Sequence, residues 1–423
     1  MKKELFKDIV GYRKEKLILE RIVDVLNHQD KYKKIGSNIP NGLILYGKPG
    51  LGKTTFACNM LDAIENRKKY IVRKTKSDGE FMNHLECVFR EAQENQPSIL
   101  FLDDLDKYSE KDDSYNNEEF VAVQSLIDSV KNDDVFVIAT ANDKDVLPSS
   151  LLRPGRFDIH MEIRYPDEKD SYDIMKHFLR NKKIDKDVNI QNISYILERY
   201  SCASLEKACN QAGIYAAFKN KRLIGNDELL RAALELAYDT CLEDVSEDNK
   251  YIINTAYHEA GHALVGQLLE PGSVLYTTVA DNNNIDTRGI TKYRNDDNYW
   301  DDIQFMKNRI MTLLAGKAAT EIVFHTCDTG ANMDLHRAFD LAERLIDNYC
   351  MNDFSSWIRT IEEQSEKVKE SKDINITKLI TEYYDKTKEL LFNHKSQLDQ
   401  LAMELKNKKI LFKDDICAII SNS

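Results

Sequence analysis

Eight consecutive residues constrain this chain more than anything else in it: Gly47-Lys48-Pro49-Gly50-Leu51-Gly52-Lys53-Thr54. They match G-x-x-x-x-G-K-[ST], follow the apolar run Leu43-Ile44-Leu45-Tyr46 and open a stretch of helical character over 53–66. A strand that turns through glycines into a helix aims backbone amides and the positive end of the helix at one point, which suits a phosphate. At this spacing Lys53 reaches the β- and γ-phosphates and the Thr54 hydroxyl ligates Mg²⁺. Glycine is scarce elsewhere. Of 16 in 423 residues, Gly36, Gly42, Gly47, Gly50 and Gly52 fall within one stretch of 17.

The surrounding pattern predicts an α/β domain. Short apolar runs at 70–72, 98–102 and 135–141 alternate with helix-like segments such as 84–95, as in a parallel sheet with helices on both faces. The run 98–102 ends in Asp103 and Asp104. Downstream of a phosphate loop, Asp103 is placed to bind Mg²⁺ and Asp104 to orient the attacking water. Asn142, at the end of the third run, is placed to touch the γ-phosphate or that water. Arg153 and Arg156 lie in LLRPGRFD; an arginine supplied in trans stabilises charge on a transferring phosphoryl group.

Beyond Pro166 the periodicity is helical over 167–181, 189–200, 203–219 and 226–240, with no strand signal. The polar segment 243–250 marks a boundary. From 251 onward most segments again read as helices, except 274–293, which reads as two strands joined by a polar loop.

A second constellation lies in TAYHEAGHALVG, 255–266. His258 and His262, four residues apart, share a helical face and can share a metal ion; Glu259 can serve as general base toward water held there. A catalytic zinc needs a third protein ligand. His325, Asp328, Asp334, His336 and several Glu follow, and spacing does not choose among them.

Composition excludes other classes. The net charge of −12 argues against a nucleic-acid partner and against attachment to anionic lipid. The eight cysteines show no C-x-x-C spacing, so reduced thiols in the cytoplasm are expected. No run of ~18 apolar residues predicts membrane insertion.

Taken together, the motifs resemble the FtsH family of AAA zinc metalloproteases over nearly the whole chain. The carrying segments are FKDIVGYRKEKLILERIVDVL, IPNGLILYGKPGLGKT, LFLDDLD, ATANDKDVLPSSLLRPGRFD, YSCASLEKACNQAG, TAYHEAGHALVG, and LLAGKAATEIVF followed by TGANMDL. The resemblance implies a P-loop AAA+ ATPase domain of α/β class with a helical lid, then a mostly α-helical zinc metallopeptidase domain. The expected bounds are 1–165, 166–243 and 250–423. It implies Asp334 as third zinc ligand beside His258 and His262, and Glu259 as hydrolytic base. Asn142 becomes the family's γ-phosphate sensor, and Arg153 and Arg156 its arginine fingers. Ile9 and Val10 pack the adenine, and the phosphate loop from Gly47 through Thr54 extends to Thr55. Zn²⁺, ATP and Mg²⁺ are the implied cofactors, proteins the substrates, and a homohexamer the assembly.

Several positions depart from the family's pattern. Its membrane anchor and the small domain after it are not encoded in these residues, which again predicts a cytoplasmic protein. Asp104 stands where the family has Glu, predicting slow ATP hydrolysis. The segment carrying the aromatic pore loop is shortened: Ser77 falls at the aromatic position, and Phe81-Met82 is the alternative grip. Cys202 and Ser204 replace the usual Gly and Asp of the lid, and Asn332-Met333 precede Asp334. The expected activity is ATP-dependent zinc endopeptidase. An AAA remodelling ATPase with accessory peptidase is the second expectation, and a peptidase with a slow or mainly structural ATPase the third.

Overall fold

The computed structural model describes residues 5–74, 80–108, 118–242, 251–284, 287–294, 302–326, 329–347, 349 and 366–421. The chain divides into two compact units, Met1–Leu229 and Leu230–Ser423.

The first unit begins with α1 (Arg13–Asn27) and α2 (Gln29–Lys33). Leu19, Ile22, Val23 and Leu26 recur at helical spacing on α1, and all are buried. Then β1 (Gly42–Tyr46), α3 (Lys53–Ala63), β2 (Lys68–Arg73), α4 (Phe81–Glu94), β3 (Ser98–Asp103), α5 (Glu118–Ser129), β4 (Val135–Ala141) and β5 (Ile159–Glu162) alternate. The five strands form one parallel sheet in the order β2-β3-β4-β1-β5. Every residue of β3 and β4 is buried, as expected for strands covered on both faces. This order sets β3, β4 and β1 side by side. Their carboxyl ends, where open α/β sheets bind ligands, carry Asp103, Asn142 and the phosphate loop respectively.

Helices α6 (Glu168–Leu179), α7 (Ile190–Ile196), α8 (Cys202–Phe218) and α9 (Asn226–Tyr238) follow. Three start on side-chain caps: Asp167, Asn189 and Ser201 accept from the backbone amides of Asp170, Asn192 and Ser204.

In the second unit, α10 (Ile252–Leu269), β6 (Val274–Asn282), β7 (Thr287–Tyr293), α11 (Ile303–Phe324), α12 (Asn332–Asp347), α13 (Glu366–Asn393), α14 (Lys395–Lys408), β8 (Ile410–Phe412) and α15 (Lys413–Ser421) surround a helical core. α10 is buried all along His258–Gly266. It lies close to α11 because both present small residues: a Cβ on Gly261 would fall 2.6 Å from the Ala315 carbonyl oxygen and 2.7 Å from the Ala319 methyl. β6 pairs antiparallel with β7 on one side and β8 on the other.

The predicted strand pair within 274–293 is thus present. Two strands went unpredicted. β5 has four residues, of which only Met161 is buried, and β8 has three. The region after Pro166, expected to be helical throughout, also contains a lone parallel bridge between Ile184 and Ile224.

Candidate functional site

The nucleotide end of the first unit is built on backbone geometry. Gly47, Gly50 and Gly52 have φ of +146°, +78° and +89°. A Cβ on Gly47 would fall 2.4 Å from the Ile163 carbonyl oxygen, so the loop's curl depends on glycine there. The Lys53 ammonium donates to the carbonyls of Gly47 (2.7 Å) and Lys48 (3.0 Å) and to Asn142 Oδ1 (2.9 Å). Burial lowers its pKa, opposed by nearby Asp104, Asp106 and Asp103. The Thr54 hydroxyl donates to Asp103 Oδ1 at 2.9 Å, so the two groups expected at Mg²⁺ face each other.

Four residues that the sequence reading did not single out support these groups. Thr140 donates to Asp103 Oδ1 (2.8 Å) and accepts from the Asp104 amide (2.8 Å). Asp106 holds Asn142 through both its amide and its side chain (3.2 and 3.0 Å). Arg73, at the end of β2, ion-pairs with the other Asp103 oxygen at 2.8 Å, and Lys107 pairs with Asp104 at 2.6 Å.

A cavity of about 400 Å³ beside the loop is lined by Ile9, Val10, Gly50, Leu51, Gly52, Thr55 and Cys202, among others. The segment carrying Ile9 and Val10 is fixed by the Tyr12 amide, which donates to Asp170 at 2.9 Å on α6. Lys48 reaches Asp143 at 3.8 Å, and Pro49 is exposed at the loop's tip. The two arginines differ. Arg156 forms a two-pronged pair with Asp128 (2.9 and 2.7 Å), whereas Arg153 is exposed and has no ion pair among the described residues.

Phe81, the alternative grip, packs edge-on against Tyr108 with centroids 4.8 Å apart, under the α/β core. The ring is half-buried there. The other candidate segment, Ser77 to Gly79, lies outside the described residues, as does Asp328.

In the second unit α10 brings His258 and His262 together with Asp334 from the first turn of α12. The two Nε2 atoms are 3.1 Å apart, and Asp334 Oδ2 is 3.3 Å from the first and 3.1 Å from the second. Two imidazole nitrogens and a carboxylate oxygen at tetrahedral edge lengths suit zinc, whose bonds of about 2.0–2.1 Å give edges of about 3.3 Å. His262 Nδ1 lies 2.7 Å from the Thr312 carbonyl oxygen, a contact that puts the ring proton on Nδ1 and turns the Nε2 lone pair inward. Gly316 leaves the space open: a Cβ there would fall 2.5–2.6 Å from both imidazoles. Burial alone would raise the Asp334 carboxyl, yet His262 and His258 beside it hold it well below the usual range. Burial would likewise lower His262, but Asp334 outweighs it and the ring is pushed up to about 9. The site thus favours a cation between these groups. His325 and His336 lie outside this cluster and are exposed.

Glu259 is buried and its carboxyl pushed up by that burial. The Thr291 hydroxyl, on β7, donates to its Oε2 at 2.6 Å. Gly289, with φ of +74°, gives the side chain room, since a Cβ there would fall 2.8 Å from Glu259 Cγ. Thr291, Thr312 and Gly289 carry no signal in the sequence alone, because each acts only through a partner distant along the chain; Gly316 lies within LLAGKAATEIVF, which carries the family resemblance.

A phosphate-loop ATPase and a two-histidine, one-carboxylate metallopeptidase centre therefore occupy one polypeptide. Sequence comparison agrees. Residues 43–165 match the ATPase family associated with various cellular activities (AAA), and 244–419 match peptidase family M41. The ATP-dependent zinc metalloprotease FtsH 2 of Thermoanaerobacter is 30% identical over 430 residues, covering 97% of this chain and 82% of the relative. FtsH 1 of Thermomicrobium roseum is 30% identical over 455 residues, covering 98% and 68%, and FtsH 2 of Phytoplasma mali 28% over 437, covering 98% and 63%. The chain belongs to the FtsH family and is an ATP-dependent zinc endopeptidase.

Proposed function

We propose that His258, His262 and Asp334 hold zinc, that Glu259 is the base, and that ATP turnover at the phosphate loop feeds polypeptide to this centre. The observation that carries the reading is the convergence of His258, His262 and Asp334 beside Glu259. Zinc bound there polarises the peptide carbonyl and acidifies water. The Glu259 carboxylate takes the proton from the attacking water and delivers it to the leaving amide nitrogen. Thr291 holds Oε2 during that exchange, and the buried surroundings raise proton affinity toward what a base near neutrality needs.

On the ATPase side, Lys53 leaves the carbonyls of Gly47 and Lys48 for the β- and γ-phosphates, and Thr54 and Asp103 hold Mg²⁺. Asp104 orients water and Asn142 reports the γ-phosphate. Ile9, Val10 and Thr55 border the adenine pocket. Exposed Arg153 completes a neighbour's site in a homohexamer, and Arg156, braced by Asp128, stabilises the loop that carries it. We assign 1–165 to the ATPase core, 166–243 to its lid and 250–423 to the peptidase. We place the protein in the cytoplasm, a reading supported by six free cysteines among the described residues. Among those residues no helix is long and apolar enough to cross a membrane.

The ion pairs Arg73–Asp103 and Lys107–Asp104 favour a second reading, a peptidase with slow ATP turnover. Degradation of a folded and an unfolded protein with ATP, with a non-hydrolysable analogue and with chelator separates the two. Cleavage of the folded protein only with ATP supports the first reading; equal cleavage with the analogue supports the second. No zinc-dependent cleavage of either protein overturns both.

A further inference from the structure

The cleft around the zinc ligands encloses about 550 Å³. Its wall includes three guanidinium groups, those of Arg288, Arg309 and Arg337. Among the described residues the carboxylates in that wall are Glu259 and Asp334, both already committed to the chemistry. Among the described residues none of the three arginines forms an ion pair. The described lining of the cleft thus carries more arginines than carboxylates, in a chain whose net charge is −12.

Two of these arginines are also held in place. The Arg309 guanidinium lies over the Tyr293 ring, 4.4 Å from its centroid, and the Tyr293 hydroxyl donates to the His262 carbonyl oxygen at 3.0 Å. Arg288 lies over Tyr251 at 4.9 Å. Tyr251, the residue just before α10, and Thr255 on it precede His258 and border the same cleft. A guanidinium stacked on a ring keeps its N–H edges free for a carboxylate, which it binds with a two-pronged, charge-assisted contact. A cleft lined by one sign of charge concentrates ligands of the other.

We propose that Arg288 and Arg309 determine specificity, selecting peptides with an aspartate or glutamate side chain close to the bond that is cut, with Arg337 adding to the same field. The inference rests on the peptidase reading above. It is independent of the ATPase, because a short peptide needs no unfolding.

The test uses the full chain with zinc and ATP and three matched fluorogenic peptides carrying Glu, Gln or Lys beside the scissile bond. The Glu peptide is expected to exceed the Gln peptide by about tenfold in kcat/KM, the worth of one charge-assisted contact. The Lys peptide should be the poorest. In Arg288→Gln/Arg309→Gln the Glu-to-Gln ratio falls toward one, and in Arg288→Glu the Lys peptide gains on the Glu peptide. Because Arg288 is exposed, Arg288→Gln alone serves if the double variant does not fold. Equal kcat/KM for the three peptides, or a ratio unchanged by the variants, overturns the proposal. If no peptide is cleaved, the peptidase reading is what fails. Anisotropy binding of the same peptides to Glu259→Gln then decides charge selection separately, and equal affinities overturn it.

Discussion

At Asp104, side-chain length and backbone conformation decide the expected rate together. The residue sits in the left-handed region at φ +53°, its amide is tied to Thr140, and its carboxylate is drawn to Lys107. A carboxylate one methylene short of the water costs on the order of 10²-fold when the missing reach is about 1 Å. Asp104→Glu is therefore expected to raise steady-state ATP turnover by about tenfold or more; an unchanged rate would show that carboxylate reach does not limit hydrolysis. Gly316 makes the opposite point, because its contribution is the absence of an atom. Gly316→Ala puts a methyl 2.5–2.6 Å from the two imidazoles proposed to hold zinc. It is expected to weaken zinc retention by about 10–100-fold, as displaced metal-site partners do. The measurement is zinc content after dialysis against graded chelator, and retention equal to that of the parent chain would contradict it.

Elements fix these residues in place, and their acid response can be read from single contacts. Glu321 on α11 is held by Lys388 (2.7 Å) and Tyr384 of α13 and by Lys317 (3.5 Å) on its own helix. These partners, Lys388 first, pull its carboxyl down to about 2 from an ordinary 4.5. The fold thus favours the ionised form. The stabilisation is complete above pH 4.5 and is lost as pH falls toward 2. Because the side chain is about a third exposed, salt screens part of it. Glu321→Gln is expected to lower Tm at pH 6, with a gap to the parent that narrows between pH 4.5 and 2; a constant gap would show that charge at Glu321 is not what matters. Legibility in the sequence follows the same division. The phosphate loop, Asp103 and the two histidines were readable because their chemistry is set by neighbours a few residues apart. Without the family resemblance Asp334 was one acid among several, since its partner helix lies more than 60 residues away. The helix expected from 84 begins three residues earlier, at Phe81, whose ring meets Tyr108, a residue too distant along the chain for local periodicity to show. β5 and β8 were invisible because three or four residues show no period.

At the scale of the whole molecule the informative contrast is between Arg153 and Arg156. The Arg156 guanidinium is bound two-pronged to Asp128 of its own chain, whereas Arg153 is exposed and has no ion pair among the described residues. If Arg153 acts in trans, each ATP site combines Lys53 of one subunit with Arg153 of the next. Lys53→Ala and Arg153→Ala should then both be inactive alone for different reasons. In a ring, an Arg153→Ala subunit still has its phosphate loop, and a Lys53→Ala neighbour still has the arginine it needs. Equal amounts assembled at random give an intact pair at about a quarter of the interfaces, so the mixture should recover up to about a quarter of the parent ATPase rate. Two affinity tags report whether mixed rings form. Mixed rings without recovered ATPase would exclude Arg153 as the trans-acting group. The same variants with no co-purification would remove the ring itself.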